Sequence, residues 1–414
     1  MSNSYDLIVI GGGAAGFYAA ITAGEANPTL RILILEKGRS TLQKVKISGG
    51  GRCNVTHQCF EPDRLAANYP RGFKELRGAF HRWQPSDTVR WFGEHQVELK
   101  AEADGRMFPI SNQSQTIIDC FHAAAKRLRI EVRTGNAVER LERGTAGEND
   151  NFVVATSGGQ TFQCRKLVIA TGSSKSAHLL GALKSFGHTT TALAPSLFAF
   201  NTADKRTSGL SGLSVDFASI CLEDPKSAQY GPILITHKGL SGPAVLRLSA
   251  WQARNLKDCN YHFPIYINWL GDVSESTVRQ KFAQLRAGKT LVKTKVFDAI
   301  PRRLWERLVN HAQIGTDMKW AQLSKPCEKQ LIEQIVRCQF EVLGKTTNKD
   351  EFVTCGGISL KEINLKTLES RLVKDLYFAG ECLDIDGITG GFNFQAAWTT
   401  GRLAGLAIAD THNP

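Results

Sequence analysis

Four stretches of the chain are short, mainly apolar runs: YDLIVI at 5–10 and LRILIL at 30–35, each with one charged residue near its start, and LVIA at 167–170 and LYFA at 376–379. Runs without polar alternation predict strands buried on both faces. The first is followed by GGGAAG and the Ala-rich, helical FYAAITAGEA; the last leads through GITGG into a long apolar helix, FNFQAAWTTGRLAGLAIA. Between 195 and 270 the pattern changes. SLFAF, VDFASICLE, GPILITH and YHFPIYINW are strand-like and separated by Gly, Pro and Ser, which predicts a small, mostly antiparallel sheet or barrel. Residues 274–343 read as helical. Ser324 caps a helix with Pro326 in its first turn, and Leu331, Ile332, Ile335 and Val336 form a core-facing stripe. The patterns together predict an α/β fold. Residues 1–190 and 346–414 form a Rossmann-like domain, and 191–345 an inserted substrate or cap domain, β-rich over 195–270 and helical over 274–343.

The first glycine run has a full context: strand, G-x-G-x-x-G, helix, strand, acid. Gly11 makes the turn, Gly13 lets backbone approach a pyrophosphate, and Gly16 lets helix and strand pack closely. Ala14 and Ala15 open the helix, whose N–H groups and dipole favour phosphate. Glu36, followed by Lys37, is placed for the adenosine ribose hydroxyls and disfavours a 2′-phosphate. A tight turn without ligand is the plain alternative, and the motif by itself does not separate FAD from NAD.

A second run, KISGGGRCN at 46–54, follows quickly. Gly49, Gly50 and Gly51 permit close backbone approach, and Ser48, Arg52 and Asn54 can donate to phosphate, ribityl or ring edges. Lys44 and Lys46 add charge toward phosphate or are solvated. Near the C-terminus, Gly380, Glu381 and Asp384 follow the last buried strand. Gly390, Gly391, Asn393, Phe394 and Gln395 open the long helix. That helix N-terminus can stabilise negative charge on a reduced flavin ring, and Glu381 is placed for ribityl hydroxyls. NAD needs no such distant C-terminal clamp; the longer FAD often does.

On GGGAAG, KISGGGRCN, GRMFPIS, APSLFAF, ILITHKGLSGPAVL, VTCGGISLKEI and LYFAGECLDIDGITGGFNFQAAWTTG, the chain resembles the YhiN/BaiN-like, or aminoacetone-oxidase-like, family of FAD-dependent oxidoreductases. The motifs run from residue 8 to 402. Wider relatives are the glutathione-reductase-like and fumarate-reductase-like flavoproteins. The resemblance implies that the two glycine runs serve one FAD, the second with Cys53 running along the ribityl chain to the ring. Ala170, Thr171 and Gly172 would pass the adenosine half. It also implies a β-barrel-like insert with a helical portion, covering the flavin. The FAD is expected to be non-covalent: some relatives link through a histidine near the second loop, where this chain has lysines and His57 slightly beyond. NADH or NADPH would pass hydride through flavin N5 to a small-molecule acceptor. Bile-acid reduction and aminoacetone oxidation are both attached to the family, and cofactor motifs do not choose between them. His237, in THKGLSGPAVL, and Arg106, after an Asp-Gly turn, are the catalytic candidates. A structural histidine and a surface arginine are the alternatives.

Composition narrows the rest. The apolar runs are far too short to span a membrane, the N-terminus lacks a basic leader, and ten scattered cysteines suit reduced thiols in a cytoplasm. No metal-ligand spacing occurs. Cys53 and Cys59 are C-x5-C rather than the C-x4-C of a redox disulfide, and AGKT at 287–290 has Ala283 where a P-loop needs glycine. The net charge of +12, from 51 Lys and Arg against 39 Asp and Glu, fits an enzyme acting on anions. It also leaves open a flavin-dependent tRNA- or RNA-modifying or RNA-binding protein, and a flavin sensor without turnover. Oligomeric state leaves no mark in the sequence.

Overall fold

The computed structural model describes residues 3–144, 151–173, 176–346 and 353–410. The chain divides into two compact units, Met1–Leu193 with Val353–Pro414, and Ala194–Phe352. The return to the first domain expected at 346 runs into residues 347–352, which lie outside the described residues.

The first unit is built on a nine-stranded sheet. Its centre is β1 (Ser4–Ile10), parallel to β2 (Ile32–Leu35) on one side and to Thr161–Ile169 on the other. Leu376–Phe378 adds in parallel beyond, pairing Leu376 with Leu167. Leu7, Ile8 and Val9 are fully buried, as the absence of polar alternation requires of a strand covered on both faces. A hairpin, Val138–Arg143 and Phe152–Thr156, continues antiparallel from Thr161–Ile169. A separate three-stranded sheet joins Thr56–His57, Arg106–Pro109 and Leu99–Ala101.

Helix α1 (Ala14–Ala26) buries every residue from Ala15 to Gly24. The C-terminal helix, Phe392–Asp410, lies against it at backbone distance. A Cβ on Gly401 would stand 2.8 Å from the Ala15 carbonyl oxygen, and one on Gly405 2.6 Å from that of Ala19. Tyr18, Trp91, Phe121 and Trp398 seal the crossing with ring centroids 4.8–5.7 Å apart for Tyr18–Trp91, Phe121–Trp398 and Trp91–Phe121.

The second unit holds a closed barrel of antiparallel strands in the order Phe200–Asn201, Gly239–Ser241, Gln229–Thr236, Ser214–Cys221, His262–Asn268, Cys338–Lys345. Alternate residues such as Ile233, Ile235, Ile265, Ile267, Phe340 and Val342 fill its core. Pro243–Trp251 starts at its proline after Gly242, as the sequence suggests. Glu275–Leu285, Arg302–His311 and Lys325–Val336 follow, and Ser324 accepts the Cys327 N–H at the last N-cap. The helical reading over 274–343 is corrected at its end. Cys338–Lys345 is a strand, buried at every second position, because CQFEVL alternates with period two and supplies Phe and Val to the barrel. Among the described residues no helix is long and apolar enough to cross a membrane.

The α1 crossing yields a prediction. Gly405→Leu would force the two helix backbones apart, costing about 1–3 kcal/mol and more than cancelling the roughly 1 kcal/mol regained in helix propensity. A thermal melt should show a lower Tm; an unchanged or higher Tm would mean the crossing can open freely.

Candidate functional site

The first glycine loop is closed on two sides and open on one. The Gly11 N–H donates to the Leu35 carbonyl at 2.8 Å. A Cβ on Gly11 would sit 2.3 Å from the Ala170 oxygen, and one on Gly16 2.0 Å from the Gly11 oxygen, so neither position admits a side chain. At Gly13, which precedes α1, a Cβ would meet nothing within 4 Å. The first turn of α1, beginning Ala14 and Ala15, has neither an acidic residue nor a side-chain cap. Open space in front of uncapped N–H groups is what a pyrophosphate requires. Glu36 leaves β2 and clasps the loop: one oxygen accepts the Gly12 N–H at 2.8 Å, the other the Gly38 N–H at 2.7 Å. Lys37 is exposed beside it.

The second glycine run interrupts a helix. In α2 (Gln43–Gly51), Ser48 is extended and Gly49 and Gly50 are left-handed, followed by Gly51 at φ 85°. Three successive positive-φ residues explain the three glycines: any other residue would be strained there. Ser48 bonds back to the Val45 carbonyl, and the Cys53 N–H donates to the Ser48 carbonyl at 3.0 Å. Cys53 itself is fully buried, and burial pushes its thiol up to about 12. Arg52 lies over the Phe108 ring at 4.0 Å and pairs with Glu102 at 2.6 Å.

These two loops and the C-terminal motif, distant in sequence, meet in the first unit. Gly380 follows Leu376–Phe378, and a Cβ there would stand 2.7 Å from that of Ala15. Glu381 accepts the Thr354 N–H at 2.9 Å and pairs with Lys44 at 2.5 Å, near Gly172. Ala170 donates its N–H to Ile10 at 2.8 Å, and Thr171 leads from it to the left-handed Gly172. In the amide orientation that satisfies both its ends, Asn54 accepts the Gly391 N–H at 2.9 Å and donates to the Thr56 carbonyl at 3.0 Å. The second glycine loop is thereby tied directly to the start of the C-terminal helix.

Other sequence candidates have partners within the protein or lie elsewhere. Gln395 is fully buried, receives the Thr56 hydroxyl at 2.6 Å and donates to Thr399 at 3.1 Å. Asn393 closes its own turn on the Gly387 N–H and carbonyl, next to Gly390. Phe394 stacks on Trp398 at 5.5 Å. Asp384 is half-buried and its N–H reaches Ile358. Arg106 is held by Asp104 at 2.7 Å and Glu102 at 3.1 Å. His237 belongs to the second unit, exposed between the barrel strands Gln229–Thr236 and Gly239–Ser241.

Sequence reading missed what fixes the C-terminal turn. Asp386 is fully buried and binds Arg71 in a two-pronged ion pair, its Nε contact at 2.5 Å. Tyr69 adds a 2.6 Å hydrogen bond to the Phe392 carbonyl, and His57 stacks on the Phe392 ring at 4.7 Å. Asp386 lies inside the DIDGITGG stretch; an acid among glycines and apolar residues was the available signal, but its partner 315 positions away left none.

Glycine loop, uncapped helix and acid on a central parallel sheet define a Rossmann-type dinucleotide fold, and with the family match the class is that of the FAD-dependent oxidoreductases. The chain belongs to the HI0933-like family, described as HI0933-like protein Rossmann domain, which matches residues 5–407. It is 31% identical over 408 residues, 96% of each chain, to the ribosomal RNA dihydrouridine synthase of Escherichia coli. It is 27% identical to the 3-dehydro-bile acid delta(4,6)-reductase of Clostridium scindens, covering 97% of this chain and 98% of that one. Among solved structures, 3-ketosteroid delta1-dehydrogenase from Sterolibacterium denitrificans superposes with a TM-score of 0.54 at 13% identity, covering 99% of this chain and all of that one. A flavocytochrome c3 fumarate reductase gives 0.51 at 16%, covering 98% and 78%. These structural likenesses concern the fold. The YhiN/BaiN-like resemblance, the FAD-dependent class and the Rossmann-plus-barrel fold expected from sequence are thus borne out.

Two predictions follow from the site's geometry. Arg71→Ala leaves the buried Asp386 carboxylate without its guanidinium and should cost about 3–5 kcal/mol, seen as a lower urea midpoint; a loss under 1 kcal/mol would show that the pair does not hold the turn. Native thiol titration should label exposed Cys259 and leave Cys53 untouched until denaturant is added. Rapid Cys53 labelling in the folded protein would contradict a buried, neutral thiol.

Proposed function

We propose that this enzyme uses FAD and NADH or NADPH to saturate a carbon–carbon double bond conjugated to a carbonyl, and that its substrate is a uracil base in ribosomal RNA. The observation that carries the choice of substrate is where the charge lies. Residues 279–329, in the helical part of the second unit, contain twelve Lys and Arg against four Asp and Glu, or +8 of the chain's +12. Lys281, Lys289, Lys319 and Lys325 are exposed there, with no carboxylate in ion-pair range among the described residues. Such a surface suits a polyphosphate better than a small ligand with a single negative charge. Full-length similarity to dihydrouridine synthases of two bacteria, Escherichia coli and Haemophilus influenzae, supports the same reading.

Uracil's C5=C6 bond is polarised by the C4 carbonyl. The net reaction adds hydride at C6 and a proton at C5, while the nicotinamide donor is oxidised. When bound, FAD supplies the two-electron chemistry that connects donor and acceptor. The protein's part is positioning. The α1 N–H groups at Gly13–Ala15 would hold the pyrophosphate. Glu36, whose oxygens already accept two backbone N–H groups, retains lone pairs for ribose hydroxyls. Ser48–Asn54, Ala170–Gly172, Lys44 and Glu381 would line the rest of the dinucleotide, with the Gly390–Gly391 turn and the C-terminal helix start toward the ring. Cys53, with its thiol pushed up by burial, stays protonated at pH 7 and is neither nucleophile nor base. Arg106, gripped by two carboxylates, supports Arg52 and Phe108 rather than substrate. His237 remains the acid–base candidate of the second unit.

The test is anaerobic incubation of FAD-loaded enzyme with NADH or NADPH and unmodified ribosomal RNA transcripts, followed by nucleoside mass spectrometry. Dihydrouridine at a defined position is the expected result, with one nucleotide bleaching the oxidised flavin band. No RNA product together with rapid reduction of an enone steroid would instead favour a small-molecule reductase, the reading suggested by the bile-acid relative.

A further inference from the structure

The first unit carries a groove beside the glycine loops, lined in part by Gln43 and Lys46 from the start of α2. It has a volume of about 590 Å³ and runs between the segment that follows β2, the helix Ser114–Arg127 and the strand Glu131–Arg133. Arg39, Lys46, His122 and Lys126 line it, and no Asp or Glu does. Ile118, Ile130 and Val132 form apolar floor, while Gln43 and Gln115 offer amides. His122 is oriented by a 2.9 Å hydrogen bond to Thr41 and by packing against Phe17 at 5.6 Å.

The charges here are gathered in one cavity that no acid lines. Several cations elsewhere in the unit are matched, Lys44 with Glu381, Arg52 with Glu102, Arg71 with Asp386, Arg127 with Glu25 and Arg133 with Glu131, while others such as Lys361 and Lys366 stand singly on the surface among the described residues. Arg39, Lys46 and Lys126 have no carboxylate in ion-pair range among the described residues, and neither do Lys37 and Arg129 just outside the groove. From 37 to 52 there are five Lys and Arg and no acid. Lys126 ends a helix, where a cation complements the dipole. That explains Lys126 alone; it does not explain Arg39 and Lys46 lining the same cavity. Like charges gathered without acids repel one another in the free protein, and an anionic ligand relieves that repulsion.

We propose that this groove binds the phosphodiester backbone of the RNA substrate, contributing affinity and orientation without reading sequence. The inference rests on the RNA reading above. Cations dispersed along and beyond the groove match successive phosphates of a strand, whereas one isolated phosphate would call for donors converging on a point.

The experiment compares FAD-loaded wild type with R39Q/K126Q and with K361Q/K366Q, which removes equal charge from exposed sites outside the groove. Anisotropy of a labelled ribosomal RNA transcript is followed from low to high salt, alongside the rate of flavin reduction by NADPH. Losing two phosphate contacts should lower the log–log salt slope by about 1.5 and weaken binding roughly tenfold near 0.1 M salt. The K361Q/K366Q protein should keep the wild-type slope, and both variants the wild-type rate of flavin reduction. Equal losses in both variants, or none in R39Q/K126Q, would overturn the proposal. So would a raised half-saturation for NADPH with RNA binding intact, which would give the groove to the nicotinamide donor. If wild type itself neither binds nor modifies RNA, the RNA reading fails and the groove proposal with it; wild-type modification with an unaffected groove variant sinks the groove alone.

Discussion

The site depends on backbone approaching backbone where no side chain fits. The Gly11–Gly16 turn folds onto itself so closely that a Cβ at Gly16 would overlap the Gly11 carbonyl, and Gly11 is pressed against Ala170 of the neighbouring strand. This turn fixes where α1 starts. The C-terminal helix, packed on α1 through Gly401 and Gly405, inherits its position from the same constraint. Two helix starts, formed nearly four hundred residues apart in the chain, are therefore located by one contact surface of small residues. Larger side chains would separate the helices before any loss of polar contacts was felt.

Around that frame, polar groups lock the loops by reciprocal bonds. Glu36 joins Gly12 of the first turn to Gly38 beyond β2, Asn54 joins the second glycine loop to Gly391, and Glu381 joins Lys44 to Thr354. The Arg71–Asp386 pair differs from these in burial. A guanidinium answers this carboxylate, which has no solvent contact, with two parallel bonds. Its position at the head of the DGITGG turn makes it a positional lock: the turn cannot drift without exposing or orphaning a charge. Cations facing the groove have the opposite arrangement, with charge present and no carboxylate in ion-pair range among the described residues. The contrast separates charges that hold the fold from charges available to a ligand.

The buried parallel strands were legible because a short, mainly apolar run has few other meanings beside a glycine turn. The glycine loop, the acid on β2 and the C-terminal helix start were legible for a related reason: each motif acts through backbone, so residue types report geometry directly. The antiparallel barrel could be read from β-rich runs at turn-bounded intervals. Its last strand could not. Cys338–Lys345 follows a capped helix with no Gly or Pro between, so the helical pattern seemed to continue through it. Side-chain roles were least legible. Gln395 and Asn393 sit in a motif that suggests ligand contact, yet both satisfy their amides within the protein. Spacing along a helix does not say whether a polar end points to a ligand or to the next turn. The partners of Glu381, Asp386 and Arg106 were equally hidden, since long-range ion pairs leave no local pattern.

The central claim is that two glycine loops and a distant helix start build one dinucleotide cradle. It is tested most directly by the cofactor itself. Purified protein, reconstituted with excess FAD and desalted, would be denatured and its released flavin quantified and identified by chromatography. The account predicts close to one FAD per chain, released without covalent attachment, and a sharp loss of retained FAD in a Gly49→Ala variant, whose Cβ would stand 2.9 Å from Phe108 at a left-handed position. Absence of flavin after reconstitution, or full retention by Gly49→Ala, would contradict it.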